Sequence, residues 1–356
     1  MKQRTDISSM TLPRLTEYVT GELGEPRFRA GQIYGWLHQK QAASFEEMTN
    51  LPAALRRRLE EEAFLTRPGV RRELRSQLDG TVKYLFEMPD GNCVESVLME
   101  YHHGPSLCIS TQVGCRMGCK FCASTLGGKV RDLTAGEMLG EVYEAQRQSG
   151  RPISTLVLMG IGEPLDNFDN VMDFLEILSS PQGQNLSLRH VSLSTCGLVD
   201  AIGRLAEKKL GLTLSVSLHA SDDATRSQIM PVNNRYNIEE LMEACRNYFA
   251  VTGRRISYEY ALIDGVNDGP AQAKGLLELL RGQNCHVNLI PVNPVAERGT
   301  RRSSREAVER FRRMLEAGGL SATVRRELGS DISAACGQLR RQEAASAAEK
   351  ADMETT

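Results

Sequence analysis

From residue 106 onward the chain alternates strand-like with amphipathic segments, and this alternation constrains the fold more than any other feature. Amphipathic stretches have apolar residues three and four apart, and they cover residues 134–148, 169–179, 238–251, 270–281 and 303–317. Strand candidates flank them at 106–111, 154–160, 189–195, 212–220, 256–263 and 286–292. Six β-then-α units predict an α/β fold with a mainly parallel sheet and right-handed crossovers.

The preceding third of the chain has a different pattern. Residues 1–75 carry helical periodicity broken by Gly and Pro, which predicts a small N-terminal helical module. Residues 76–105 contain "TVKYLFEM" and "CVESVLMEY" around the turn "PDGN", which predicts a linking β-hairpin. The α/β domain is then expected over 106–330, and a C-terminal segment over 331–356 ends in a polar tail typical of disorder.

Composition narrows the classes of function. The chain has no apolar run long enough to span a membrane, and its start lacks the apolar core of a signal peptide, so we expect a cytoplasmic protein. The net charge of −2 excludes a global basic field. Arginines nevertheless outnumber acids between residues 298 and 341 and cluster again at 55–59 and 67–75. Such stretches are usually solvated helix faces, but they also allow a local phosphate-binding surface.

Polar motifs gather where the predicted strands end. They are "GEP" at 162–164, "STCG" at 194–197, "SLHAS" at 217–221 and "PVNP" at 291–294. Because ligands of α/β sheets bind at the carboxyl ends of the strands, these motifs predict a common site at that edge.

Three of the nine cysteines, Cys115, Cys119 and Cys122, form a C-x3-C-x2-C run in "CISTQVGCRMGCKFCAS". A structural zinc site would require a distant fourth ligand, since no second C-x2-C element is present. Redox chemistry of a C-x-x-C pair would leave Cys115 without a role. An iron–sulfur cluster bound by three thiolates leaves one iron open to another ligand, and the spacing favours this interpretation over the other two.

This run, placed after the first strand of a β/α series, resembles the radical S-adenosylmethionine (SAM) superfamily. The resemblance implies a partial (β/α)6 barrel with a [4Fe-4S] cluster, whose open iron binds the amino and carboxylate groups of SAM. Phe121, directly before the last cysteine, also matches the superfamily. "MGIGEP" resembles its SAM amino-group motif, with Gly162 and Glu163 at the matching positions. Five further strand-end residues match SAM-contacting positions, namely Ser194, Ser217, Leu218, His219 and Asn293.

A narrower resemblance covers residues 10 to 340 and points to the RNA adenine-C2 methyltransferases. It rests on "RAGQIYGWLH", "MGIGEPLDN", "IMPVNNRYNIEEL", "EYALIDGVND", "HVNLIPVNP" and "DISAACGQL", in addition to the cysteine run. The resemblance implies methylation of 23S rRNA and of tRNA, and two SAM molecules per turnover. It also implies an electron donor such as flavodoxin or ferredoxin, an RNA-binding role for the N-terminal helices and a monomeric enzyme.

The same resemblance implies three catalytic residues. Cys336 matches the thiol that becomes S-methylcysteine, whose methyl group loses a hydrogen atom to a 5′-deoxyadenosyl radical before it attacks C2. Glu95 matches the acceptor of the C2 proton. Cys108 matches the cysteine that releases the product by forming a transient disulfide with Cys336. The remaining thiols, which include Cys196 where the family often has Ser, have no assigned role.

Three rival functions remain open at this point. A related methyltransferase acts on C8 of the same adenosine, and Pro164 in "GEP" favours C2 over it. A radical-SAM activase of a glycyl-radical protein would have no use for Cys336. An iron–sulfur or zinc RNA-binding module would need no SAM pocket.

Overall fold

The computed structural model describes residues 4–294, 296–332 and 339. Its helices are α1 Leu12–Glu17, α2 Phe28–His38, α3 Ala53–Glu62, α4 Ala135–Ser149, α5 Phe168–Ser179, α6 Val199–Glu207, α7 Asp223–Ile229, α8 Ile238–Thr252, α9 Pro270–Leu279 and α10 Arg305–Ala317. Its strands are β1 Thr5–Asp6, β2 Ala63–Phe64, β3 Gly69–Arg75, β4 Val82–Glu87, β5 Cys93–Tyr101, β6 Gly104–Cys108, β7 Gln112–Gly114, β8 Lys129–Asp132, β9 Thr155–Leu158, β10 Val191–Thr195, β11 Thr213–Ser217, β12 Ile256–Leu262, β13 Cys285–Pro291 and β14 Ala322–Val324.

Ten of these strands form one open sheet in the described part of the chain, in the order β14-β13-β12-β11-β10-β9-β6-β5-β4-β3. The neighbours from β6 through β9 to β14 pair in parallel, whereas β3, β4, β5 and β6 pair antiparallel. All six predicted strand–helix units are present, so the predicted α/β fold with a partial (β/α)6 barrel is confirmed. The buried positions of the barrel strands are mostly apolar, with Ser106, Thr195, Ser215 and Glu259 as polar exceptions.

Two edge strands were not predicted. The short strand β14 follows α10 and pairs with β13. At the other edge, Gly69–Arg75 lies within the stretch expected to be helical but forms β3, which pairs with β4. The arginines of β3 are mostly exposed, and a charged edge strand resists pairing with other chains. The basic run at 67–75 is therefore explained in part by sheet structure.

The N-terminal helices pack against α4 and α5. His38 Nδ1 lies 3.0 Å from the Tyr143 hydroxyl, and the Gln41 amide donates to Gln146 Oε1 at 2.6 Å. The backbone N–H of Gly136 donates to Ser9 Oγ at 2.8 Å. These partly buried polar contacts connect the N-terminal region to the side of the barrel. None of the helices in the described part of the chain has both the length and the apolar character needed to cross a membrane.

Candidate active site

The cysteine run occupies the tip of a small antiparallel hairpin formed by β7 and β8. Cys115 N–H donates to the Gly128 carbonyl at 3.0 Å where the hairpin opens. The Thr125 hydroxyl lies 3.1 Å from the Cys119 carbonyl and 2.9 Å from that of Cys122, which closes the turn after the third cysteine. Gly118 has a positive φ of 73° and faces Pro231, so this turn suits glycine. The local backbone thus presents all three thiols towards the barrel.

A cavity of about 270 Å³ lies between this loop and the carboxyl ends of the barrel strands. Its wall brings together residues from the cysteine run and from four separate strand-end motifs. The predicted site residues that line it are Cys115, Cys119, Cys122, Gly162, Glu163, Ser194, Ser217, His219 and Asn293. Leu218 does not line it, because its side chain is fully buried in the core.

The three thiols fit a cluster better than a single ion. Within the described residues, no three His, Cys, Asp or Glu side chains are close enough to share one metal ion, as a closed zinc site would require. Thiolates of a cluster bind different irons and do not need that closeness. Burial raises the pKa of the Cys115 thiol to about 12 and raises that of Cys119 further. Both thiols therefore need bound cations to become thiolates.

Glu163 is a buried carboxylate held in place by backbone donors. Its Oε2 accepts from the Cys196 N–H at 2.7 Å and its Oε1 from the Leu165 N–H at 3.1 Å. Burial raises the pKa of Glu163 above its ordinary value, and no lysine or arginine of the described residues pairs with it. A cavity-lining carboxylate in this state suits a cationic ligand group such as an ammonium.

The glycine before it explains how Glu163 reaches the cavity. Gly162 has a φ of 113°, and a Cβ there would lie 2.7 Å from the Cβ of Gln112. The Gln112 side chain in turn accepts from the Glu163 N–H at 2.9 Å. Only a residue without a side chain allows these two segments to approach this closely.

His219 follows β11 with a φ of 57°, which is unusual for a residue with a side chain. Its Nδ1 accepts from the Ala261 N–H at 2.8 Å, and its carbonyl accepts from Asn267 at 2.7 Å. Burial lowers the pKa of His219 to about 3, so the ring is neutral and its proton lies on Nε2. The edge-on contact with Phe121, at 4.8 Å between ring centroids, links this histidine to the cysteine run.

Cys108 lies in a second cavity that adjoins the first. The two cavities share four lining residues, Met159, Ile290, Asn293 and Arg325. Burial raises the pKa of the Cys108 thiol to about 11, and the nearby charge of Arg325 opposes this shift. No motif in the sequence predicts that Cys108 lies in a cavity beside the cluster cavity.

Glu95 is 1% exposed, so it is not a surface carboxylate of the strand. Its Oε2 lies 2.9 Å from the ammonium nitrogen of Lys83, whose side chain is also buried. In the sheet register Val97 pairs with both Lys83 and Cys108, and alternation places Glu95 on the same face as Val97. Glu95 therefore shares the face of the sheet that carries Cys108.

Two buried cations near the site were missed by the sequence analysis, namely Lys83 and Arg226. Lys83 alternates with apolar residues in β4, and Arg226 lies three residues before Ile229 on the buried face of α7. These spacings indicate buried positions. Because Lys and Arg are rarely fully buried, a prediction from sequence places both side chains in solvent. Cys336 lies outside the described residues, so its predicted role stays a prediction.

Part of the arginine-rich C-terminal stretch forms ion pairs. Arg312 contacts Glu309 and Glu316 on α10, and Arg302 forms a two-pronged ion pair with Glu327. These paired arginines therefore belong to a solvated, salt-bridged surface, which is the simpler alternative to a phosphate-binding surface. Arg325 differs, because it lines both cavities.

Comparison with known protein families agrees with this site. Residues 109–276 match the model of the radical SAM superfamily, and residues 5–65 match the model of the ribosomal RNA large subunit methyltransferase N-terminal domain. The first match contains the cysteine run and most of the strand-end motifs. A [4Fe-4S] cluster and SAM are accordingly the cofactors of this chain.

Relatives extend the match to nearly the whole chain. A protein of Lachnospira eligens named probable dual-specificity RNA methyltransferase RlmN is 53% identical over 94% of this chain and 96% of its own length. A protein of the same name from Lachnoclostridium phytofermentans is 53% identical over 95% of both chains. The crystal structure of a radical SAM methyltransferase from Sphaerobacter thermophilus aligns with a TM-score of 0.88 and 45% identity, over 94% of this chain and 98% of that one. The chain therefore belongs to the RlmN family of dual-specificity radical-SAM RNA methyltransferases.

Proposed function

We propose that this protein methylates C2 of an adenosine in 23S rRNA, and in tRNA, with Cys336 as a methyl-carrying thiol. The observation that carries the proposal is the shared wall between the cofactor cavity and the cavity of Cys108. A thiol that receives a methyl group at the first cavity would be within reach of the Cys108 thiol in the second without leaving the barrel. The names of the relatives support RNA as the substrate, and the cytoplasm is where these RNAs are found.

The cofactors would be held as follows. The thiolates of Cys115, Cys119 and Cys122 would bind three irons, and Glu163 would accept from the SAM ammonium. When bound, the cluster and SAM supply the methyl group and the one-electron chemistry that activates a C–H bond. Reduction of the cluster requires a donor of the flavodoxin or ferredoxin class.

The chain's own residues would complete the reaction. Cys336 would accept the methyl group on sulfur, and this methyl group would lose one hydrogen atom to the bound cofactors so that its carbon can bond to C2. Loss of one electron from the resulting adduct to the cofactors, and of the C2 proton to Glu95, would restore the aromatic ring. The Cys108 thiolate would then attack the sulfur of Cys336. The carbon–sulfur bond would break with its electron pair on carbon, which takes up a proton, and the two cysteines would form a disulfide that an external thiol reduces.

Domain roles follow from this proposal. The N-terminal helices and the basic surfaces beside them would dock a structured RNA, and the target adenine would leave its stack to enter the barrel. The C-terminal segment 331–356 would carry the methyl-bearing thiol to the cavities. The enzyme is proposed to act as a monomer.

Turnover of an rRNA fragment with methyl-trideuterated SAM, under anaerobic conditions and followed by nucleoside mass spectrometry, tests the proposal. We expect 2-methyladenosine with two deuteriums, while the third appears in 5′-deoxyadenosine. A product methylated at C8 would refute the ring position alone. Transfer of all three deuteriums would refute the carrier role of Cys336, and absence of methylated RNA with turnover of a protein substrate would indicate the activase alternative.

Two substitutions separate the roles of the cysteines. Cys336→Ala should abolish RNA methylation but retain reductive cleavage of SAM, because the cofactor cavity keeps its lining. Cys108→Ala should accumulate a covalent RNA–protein adduct, visible as a slow band with labelled RNA. Cys285→Ala, which removes another buried thiol of the barrel, is the control and should turn over normally. Clean turnover by the Cys108 variant would contradict the resolving role.

A further inference from the structure

The side chain of Arg226 is fully buried beside the cofactor cavity, with 0% of its surface exposed. It belongs to the short helix α7, which begins six residues after the end of β11 and four residues after His219. The helix touches the cysteine run directly, because the Lys120 N–H donates to the Ile229 carbonyl at 2.9 Å. Arg226 thus lies between the strand ends that line the cavity and the helix that supports the cysteine loop.

The guanidinium is held entirely by neutral acceptors. Its Nη2 donates to the Cys196 carbonyl at 2.7 Å and to the Ser217 carbonyl at 3.2 Å. Its Nε donates to the Leu218 carbonyl at 3.1 Å, and its Nη1 donates to Asn233 Oδ1 at 2.9 Å. These bonds fix the cation at the carboxyl ends of two adjacent barrel strands.

No carboxylate within the described residues forms an ion pair with Arg226. The charge of Asp223 favours the charged form of Arg226, and Asn233 links the two through an amide that donates to Asp223 Oδ1 at 2.9 Å. A buried cation without a partner anion is strongly unfavourable, so native proteins pair such charges. Burial lowers the pKa of Arg226, and the side chains whose negative form would favour the charged guanidinium are those of Cys196, Cys119, Asp223 and Cys245.

We infer that Arg226 is the buried counter-cation of the iron–sulfur cluster and raises the cluster's reduction potential. Cys119 is a predicted cluster ligand, and its negative charge is delocalised over the cluster when thiolates bind iron. A fixed positive charge nearby favours the form that carries one more electron. At an effective dielectric constant of about 20, a unit charge on the order of 10 Å from a redox centre changes such an equilibrium by roughly one order of magnitude.

This role goes beyond the proposed methylation of RNA, because it concerns only cofactor chemistry. It also differs from a purely structural role. A structural arginine would support the loop through its hydrogen bonds, and a lysine could not replace those. A counter-cation acts through its charge, which lysine keeps.

The test compares Arg226→Gln, which keeps an amide donor but loses the charge, with Arg226→Lys, which keeps the charge but loses the planar fork. Each anaerobically purified, cluster-loaded enzyme is titrated electrochemically, and the reduced cluster is followed by electron paramagnetic resonance. The control is Arg58→Gln, because Arg58 also donates to two backbone carbonyls, those of Glu22 and Leu23, far from the site.

We expect the Gln variant to have a reduced-to-oxidised ratio about tenfold lower than wild type at a fixed potential, which corresponds to about 59 mV for one electron. The Lys variant and the Arg58 control should stay within twofold of wild type. Loss of the cluster from the Gln variant, with retention in the Lys variant, would also support the role of charge. A wild-type potential in the Gln variant, or equal effects of Gln and Lys on potential or on loading, would overturn the inference.

Discussion

The buried ion pair of Lys83 and Glu95 allows a quantitative prediction. The two side chains are 1% and 0% exposed, and their charged atoms lie 2.9 Å apart. Removing one member of a buried ion pair costs about 3–5 kcal/mol in comparable proteins, because the remaining charge loses an oppositely charged neighbour in a low-dielectric interior. We therefore expect Lys83→Met to lower the free energy of unfolding by about that amount.

The double variant Lys83→Met/Glu95→Leu provides the contrast. Because apolar side chains of similar volume restore packing without desolvated charges, it should be close to wild type in stability or above it. Arg204→Met is the control, since Arg204 pairs with Asp169 on the surface, where the side chains are 55% and 92% exposed. Such a pair contributes about 0–1 kcal/mol.

Chemical denaturation of the anaerobically purified, cluster-loaded variants measures these differences. The reasoning fails if Lys83→Met lowers the free energy of unfolding by no more than the Arg204→Met control does. It also fails if the double variant is no more stable than Lys83→Met. The same variant tests the function of Glu95. Because the ion pair with Lys83 holds the Glu95 carboxylate in place, Lys83→Met should displace this proposed base and accumulate the RNA adduct even with Cys108 intact.

Two further predictions concern backbone fit and pH. Gly162→Ala should lower stability by about 1–3 kcal/mol and weaken SAM binding, because the new Cβ would lie 2.7 Å from Gln112; Gly31→Ala, with no atom within 4 Å, should raise stability by about 0.5–1 kcal/mol. Burial lowers the pKa of His38 to about 3 from an ordinary 6.5, so only the unfolded chain binds this proton between those values. Stability should fall as pH drops below about 6.5, by up to about 1.4 kcal/mol per pH unit. Denaturation at pH 5.5 and 7.5 should show this slope in wild type and in the exposed control His102→Gln, but not in His38→Gln.

The order of strands and helices was predictable from sequence because it depends on local periodicity. The apolar pattern of an amphipathic helix or of a buried strand repeats within a few residues. The six strand–helix units can therefore be predicted without tertiary information. The cysteine spacing and the strand-end motifs are equally local. Since parallel strands end at one edge, the gathering of Glu163 and His219 around one cavity also followed from the order of elements.

The tertiary structure decided which side chains meet across the sheet. The contact between Lys83 and Glu95 depends on the register of two antiparallel strands. A shift of one strand by one residue would place the two side chains on opposite faces of the sheet. The position of Cys108 in an adjoining cavity likewise depends on residues from β13 and from the segment after β14. Arg226 contacts carbonyls at the ends of β10 and β11, those of Cys196 and Ser217, which precede it by 30 and 9 residues. Its burial is possible only because the fold supplies those acceptors, and no local pattern specifies them.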